Sequence, residues 1–282
     1  MSSFINKVVV VTGAAGGIGT CLVKELLDLG ATVWGLDLDE AALQRLSETH
    51  RKFGRTFFYK PTDVSSESVL KKTRDEILSQ SKEIHVWINN AGISGLGDFQ
   101  SSTQEGFERV IQINLNGVVL GTRLALERME HVGFGTIVNV ASIAGHLAAP
   151  YLSAYCASKH GVVGFTRSLR EELSLKHSPV KIVLVSPGFV DTKIIEKGTD
   201  HGFPDWLNFL LSTPAATAKE IVTALVHDKE EVIPTLNGKL MFAAHRIFPR
   251  TTLKGSKVLL SKSFKDLLLM RKTPPGSAKV DK

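Results

Sequence analysis

The 282-residue chain is 43% hydrophobic and 22% charged, which suits one large α/β domain and excludes wholesale disorder. It has no uninterrupted apolar run of about 18 residues, so neither a membrane span nor a secretory leader is expected. Two distant cysteines, Cys21 and Cys156, and nine histidines without ligand spacing exclude a disulfide framework or metal cluster and fit a reducing, cytoplasmic setting. The net charge of +6 is unevenly placed. From Arg250 onward nine basic side chains stand against two acidic ones, while residues 1–249 hold 25 basic and 26 acidic ones. The body is therefore near neutral, and nucleic-acid binding is not expected of it.

In chain order, Val8–Thr12 is a β-branched run that leads into the glycine turn Thr12-Gly13-Ala14-Ala15-Gly16-Gly17-Ile18-Gly19. Cys21, Leu22, Val23, Leu26, Leu27 and Leu29 then follow at helical spacing, stopped by Gly30, which predicts strand, turn and helix. Further strands are predicted at 31–36, 56–59, 86–88, 135–141, 180–186 and 231–233. Helices are predicted at 41–51, 66–80, 103–129, 155–175 and 218–227, the third of these being interrupted in character near Asn114. Strands alternating with long crossovers give a doubly wound, Rossmann-like parallel sheet with helices on both faces. One catalytic domain is expected over 1–250, with an irregular lid-like insert at about 191–218, followed by a C-terminal extension at 251–282.

The glycine turn follows a strand and opens a helix, the context in which backbone N–H groups can meet a pyrophosphate. Gly13, Gly17, Ile18 and Gly19 are the candidate contacts. Asp37, at the end of the second strand, can accept bonds from both ribose hydroxyls and would repel a 2′-phosphate. Ala15 and Leu38 supply no cation for such a phosphate, so NAD is favoured over NADP; a solvated acid is the alternative for Asp37. Asp63, before Val64, can reach an adenine amino group or serve the following helix as a cap. Tyr155 and Lys159 lie four residues apart, which places a phenol and an ammonium on one helical face. A free phenol is a poor base at neutral pH, and a neighbouring cation favours its anion. Ser142 offers a hydroxyl to a substrate oxygen, and Asn114 can hold a water that carries a proton from Lys159 toward solvent.

With these residues in place, the chain resembles a classical short-chain dehydrogenase/reductase from the glycine turn through Pro187-Gly188-Phe189-Val190-Asp191-Thr192, about two-thirds of its length. The resemblance implies hydride transfer between a nicotinamide cofactor and an alcohol or ketone. It assigns Asn114, Ser142, Tyr155 and Lys159 as catalytic, and places the Asn89-Asn90-Ala91-Gly92 loop, with Asn90, beside the adenosine and the strand core. Val190 and Thr192 would meet the nicotinamide carboxamide. A homo-oligomer, dimer or tetramer, is the expected assembly.

The 191–218 insert carries Phe203, Trp206, Phe209, Leu210 and Leu211. These suit either contact with a lipophilic substrate, such as a steroid-, retinoid- or fatty-acyl-like compound, or cover over the core or a subunit contact. Cys156 reads as a packed thiol, and His146 either borders the substrate pocket or sits exposed in a loop. In the extension, Leu253, Leu260, Phe264 and Leu267 form one helical stripe with Lys254, Lys262 and Lys265 beside it. Such a helix over 251–272 rests on an anionic membrane or docks on protein. The competing functional class is a non-catalytic nicotinamide-binding sensor or scaffold acting through this basic tail.

Overall fold

Five consecutive buried residues, VVVVT, form β1 (Val8–Thr12) at the centre of the sheet. A computed structural model describes residues 4–53, 56–192 and 211–249. Most of the 191–218 insert, with Phe203, Trp206, Phe209 and Leu210, and all of the 251–282 extension, with its expected helix over 251–272, lie outside the described residues. After β1 come α1 (Gly17–Asp28), β2 (Thr32–Asp37), α2 (Glu40–Arg51), β3 (Phe57–Pro61), α3 (Glu67–Ser81) and β4 (Val86–Asn89). The chain continues through α4 (Gln104–Ile111), a π-helical turn (Gln112–Asn116), α5 (Gly117–Val132), β5 (Gly135–Val140) and a 3₁₀ turn (Ile143–Gly145). It ends with α6 (Ser153–Leu175), β6 (Val180–Val185), α7 (Pro214–Val226), β7 (Glu231–Val232) and α8 (Leu236–Ile247).

The sheet order is β3-β2-β1-β4-β5-β6-β7 and every neighbouring pair is parallel. Side-chain alternation along β1 separates two cores. Val9 and Val11 pack with Leu22 and Leu26 of α1, Leu43 of α2 and Ile221 of α7. Val8 and Val10 face the other way, toward Leu70 and Ile77 of α3, Met129 of α5 and Leu173 of α6. Helices therefore cover both faces, as the alternating pattern predicts. Between β1 and β4 the strand order reverses direction, and the crevice at their C-terminal ends is where such sheets take ligands.

The interruption expected near Asn114 in the helix over 103–129 is a π-helical turn that holds this residue. Two elements differ from the sequence expectation. The helix expected from 218 begins at Pro214, because Thr213 caps it by accepting from Ala216 N and proline suits a first helical turn. Finally, α8 has no counterpart among the predicted elements.

Between β4 and β5 the layers are joined by polar bonds as well as by apolar packing. Asn89 Nδ2 donates to Asn139 Oδ1 (2.9 Å) and Thr122 Oγ1 (3.1 Å), while Asn139 Nδ2 donates to Thr166 Oγ1 (3.1 Å). Trp87 Nε1 donates to Asn89 Oδ1 at 2.8 Å. Because this network is buried and mutually satisfied, removing one member strands the others. Asn139→Ala is expected to lower stability by about 2–4 kcal/mol, read from urea unfolding; a loss below about 1 kcal/mol would show that the network adds little. At the sheet edge, Glu231 of β7 accepts from Arg167 (2.8 and 2.9 Å) and Arg170 (2.9 Å), which holds its carboxyl at a pKa of about 2.

Candidate active site

The glycine turn shapes the crevice through close backbone approach. Gly13 has φ +64°, and a Cβ there would lie 2.8 Å from Ala91 Cα; one on Gly19 would lie 2.0 Å from Gly13 O. No side chain caps α1 and its first turn carries no acid, so the positive end of the helix faces the crevice without internal neutralisation. Ile18 packs against the core beneath this end. Across the turn stands Thr192, whose Cγ2 would be 2.7 Å from a Cβ on Gly17, and Thr192 Oγ1 donates to Val190 O at 3.4 Å. Val190 itself is buried. The sequence motif after β6 is thereby brought to the glycine turn.

Asn90, a candidate cofactor contact, stands against the glycine turn. Its Nδ2 donates to Thr12 O (3.0 Å) and Gly13 O (3.2 Å), pinning the glycine turn to the end of β4. Thr12 Oγ1 completes the clamp by accepting from Asn90 N and Ala91 N. Asp37 ends β2 and accepts from Ala15 N (3.0 Å) and Asp39 N (3.2 Å), which fixes its carboxylate over the same turn. Asp63 Oδ1 accepts from Ser65 N (2.9 Å) and Ser65 Oγ (2.6 Å), so it shapes the approach to α3, whose own N-cap is Ser66. Val64 is buried against the start of α5, where a Cβ on Gly117 would meet Val64 Cγ2 at 3.0 Å.

Beyond the end of β5 the proposed acid–base residues converge. Ser142 Oγ accepts from Ala144 N at 3.2 Å and donates to Pro187 O at 3.5 Å. Lys159 is only 3% exposed; its Nζ donates to Val140 O at 2.9 Å and lies 5.7 Å from the Tyr155 ring centroid. Burial lowers the Lys159 pKa from 10.5 to about 8. Burial also raises Tyr155 above its ordinary range, with the neighbouring Ser142 hydroxyl acting against it and Cys156 adding to it. In the protein alone, desolvation thus outweighs the lowering expected from Lys159.

Asn114 is fully buried in the π-helical turn. Its Oδ1 accepts from Ile93 N (2.9 Å), and its Nδ2 donates to Ile93 O (2.8 Å) and Ser158 Oγ (3.2 Å). Ser158 Oγ in turn donates to Tyr155 O at 2.7 Å. The Asn114 amide is therefore committed to protein atoms, and a relay water near it needs other acceptors, such as backbone carbonyls of the turn. A Cβ on Gly92 would lie 3.2 Å from Asn114 Oδ1 and 3.6 Å from Lys159 Nζ, so glycine keeps the space between them open.

Sequence reasoning gave Thr12 and Gly92 no role beyond membership of their motifs and gave Ser158 none. Ser158 alone carried a local signal, one helical turn from Tyr155. Cys156 is buried, its thiol directed at Leu147 O (3.8 Å) and Ala149 O (4.0 Å), with its pKa raised by burial, as a packed thiol should be. His146 is partly buried rather than exposed. Its Nε2 and Ser186 Oγ are 3.0 Å apart, its ring meets Phe242 edge-on at 5.0 Å, and burial lowers its pKa. It lines a groove of about 600 Å³ with His160, Arg167 and Phe242. Among the described residues no acidic, histidine or cysteine cluster could hold a metal ion.

A family model described as short chain dehydrogenase matches residues 7–201, more than half of the chain. The chain belongs to the short-chain dehydrogenase family. This dehydrogenase is 32% identical over 255 residues to the Mycobacterium tuberculosis protein SadH, named an oxidoreductase, covering 88% of the present chain and 92% of that one. It is 35% identical over 255 residues to 15-hydroxyprostaglandin dehydrogenase [NAD(+)] of Rattus norvegicus, covering 84% of this chain and 90% of the rat protein. Among solved structures, a Burkholderia phymatum short-chain dehydrogenase/reductase in complex with NAD superimposes with a TM-score of 0.75 at 26% identity, covering 98% of the dehydrogenase and 100% of that chain.

Proposed function

We propose that the protein is an NAD-dependent oxidoreductase that interconverts a hydroxyl and a carbonyl on a lipophilic secondary alcohol or ketone, with Tyr155 as general acid and base. The observation that carries this reading is the buried Lys159 ammonium 5.7 Å from the Tyr155 ring centroid, with Ser142 near enough to the phenol to act against the rise in its pKa. These groups suit a carbon–oxygen centre whose oxygen must lose or gain a proton as hydride moves.

The crevice fits a dinucleotide: tightly packed glycines, an uncapped helix end and Asp37 at the end of β2. Gly13, Gly17, Ile18 and Gly19 would line the pyrophosphate, Asp37 the adenosine ribose, and Val190 and Thr192 the nicotinamide end. Asp63 and Val64 would border the adenine, with Asn90 holding the turn in shape. When bound, NAD supplies the hydride acceptor. Ser142 Oγ holds the substrate oxygen, Tyr155 Oη takes its proton, and the Lys159 ammonium favours the phenolate. Asn114 keeps the π-helical turn and, through Ser158, the start of α6 in register with that proton path. The names of relatives acting on a hydroxyprostaglandin support the substrate class, as do the apolar residues of the 191–218 insert.

A non-catalytic sensor would have no use for a phenol, hydroxyl and ammonium brought together in this way. Screening secondary alcohols and ketones for a change in NADH absorbance tests the reading; absence of turnover across a broad panel would favour the sensor. Light scattering would read the dimer or tetramer expected of the assembly. For cofactor choice, Asp37→Ala is expected to reduce the ratio of kcat/KM for NAD to that for NADP by about tenfold or more. An unchanged ratio would remove Asp37 from discrimination.

A further inference from the structure

Ser142 is carried by a short piece of chain that is tied to the sheet at both ends. It caps the 3₁₀ turn by accepting from Ala144 N, and His146 follows that turn directly, its N–H donating to Ile143 O at 2.9 Å. Ala141 N donates to Val185 O and Ile143 N to Pro187 O, each at 2.7 Å, which joins the near end of the turn to the end of β6. Among the described residues these backbone bonds to β6 stop at Ile143. Beyond it the His146 ring makes the next tie, with Nε2 3.0 Å from Ser186 Oγ.

The partner of that ring is itself fixed. Ser186 is 2% exposed, and its N–H donates to Val232 O of β7 at 2.9 Å, so the sheet carries the hydroxyl that meets His146. On another side, a Cβ on Gly145 would lie 2.6 Å from Lys159 O, which shows how closely the turn is pressed against the helix that bears Tyr155 and Lys159. Phe242 of α8 meets the imidazole edge-on, with centroids 5.0 Å apart, and restricts its orientation. The Ser142 hydroxyl has little of its own to hold it: its bond to Pro187 O is 3.5 Å long, at the limit for such a contact. Its position therefore follows the position of the turn.

We propose that His146 is a positioning residue that, by bonding Ser186, holds the far end of the 3₁₀ turn against β6 and so fixes the Ser142 hydroxyl where it takes the substrate oxygen. The assignment rests on the oxidoreductase reading above. His146 is not itself catalytic, because its described side-chain hydrogen bond is to Ser186 and not to Ser142 or Tyr155. A misplacement of about 1 Å at a reacting group can cost about a hundredfold in rate. The backbone bonds of Ala141 and Ile143 survive loss of the ring, so only part of that effect is expected here.

The test compares His146→Ala, His146→Gln, Ser186→Ala and the double variant His146→Ala/Ser186→Ala on an alcohol or ketone that the wild type turns over. Both single alanine variants should lower kcat by about tenfold, with NADH affinity close to wild type in fluorescence titration. The double variant should be no slower than the slower single one, since both remove the same bond. Glutamine carries an amide that can still meet Ser186, and His146→Gln should recover most of the loss. Amide hydrogen exchange over residues 141–147 should quicken by about tenfold in the alanine variants and much less in His146→Gln. Ser186→Ala keeps the imidazole and its packing on Phe242, so it reads the bond even if His146→Ala folds poorly.

A kcat within about twofold of wild type in Ser186→Ala or His146→Ala would overturn the proposal. Losses that multiply in the double variant would do the same, by showing two residues that act separately. If His146→Gln is as slow as His146→Ala, the ring serves by packing and the bond is not what positions Ser142. Wild type without turnover on any alcohol or ketone would remove the oxidoreductase reading and this assignment with it, whereas turnover that ignores the Ser186 bond removes this assignment alone.

Discussion

Tyr155→Phe is expected to lower kcat/KM by about a thousandfold, with NADH affinity and unfolding temperature close to wild type. The substitution removes one oxygen and keeps the ring, so the packing at the start of α6 survives. What it deletes is the group that must exchange a proton with the substrate oxygen, and positioned acid–base groups contribute roughly 10²–10⁴ in rate. Ser142 is a poor substitute for the phenol: it lacks a cation to favour its anion as Lys159 does for Tyr155, and its hydroxyl donates to Pro187 O at 3.5 Å while accepting from Ala144 N. The loss should appear in kcat as well as kcat/KM, because the missing interaction belongs to the transition state. NADH fluorescence titration separates a catalytic defect from a damaged crevice. Turnover within about threefold of wild type would exclude Tyr155 as the acid–base residue.

The placement of the candidate acid–base pair and of the glycine turn was legible because it is local. Tyr155 and Lys159 share a helix, so their spacing alone puts them on one face; Gly13 through Gly19 form one continuous turn after β1. The sheet was legible for a related reason: parallel strands buried on both faces read as short β-branched runs. Asn114 shows where such reading stops. Its amide bonds to Ile93, 21 residues away, and its placement depends on a π-helical turn that helical periodicity does not encode. Asn90 is similar, since its role depends on tertiary contact with Thr12 and Gly13. The helix α8 escaped for a different reason. Asn237 and Gly238 are poor helix formers in its first turn, and its apolar stripe faces outward, so neither propensity nor core packing marked it.

Lys159→Met should reduce turnover by at least about a hundredfold and yet make the protein alone more stable at pH 7, by about 1–3 kcal/mol. The ammonium is 3% exposed, and its described hydrogen bond is to the Val140 carbonyl. Methionine nearly matches the length of the lysine stem and leaves no buried charge. Between pH 8 and 10.5, set by the folded pKa of about 8 and the ordinary value, unfolded chains bind more protons at Lys159 than folded ones. Wild-type stability therefore gains from this group as pH rises through that window, and the destabilising effect is fully present below it. Across the same window the advantage of Lys159→Met should shrink, approaching zero at its upper end. Urea unfolding of both proteins at pH 7 and pH 10 reads the difference directly. If the variant were less stable at pH 7, the Val140 bond would outweigh the desolvation of the cation. An advantage that stayed constant with pH would come from packing instead. The expected combination, a more stable fold with little turnover, would show that the buried ammonium is held at a cost to stability because the neighbouring phenol requires a cation.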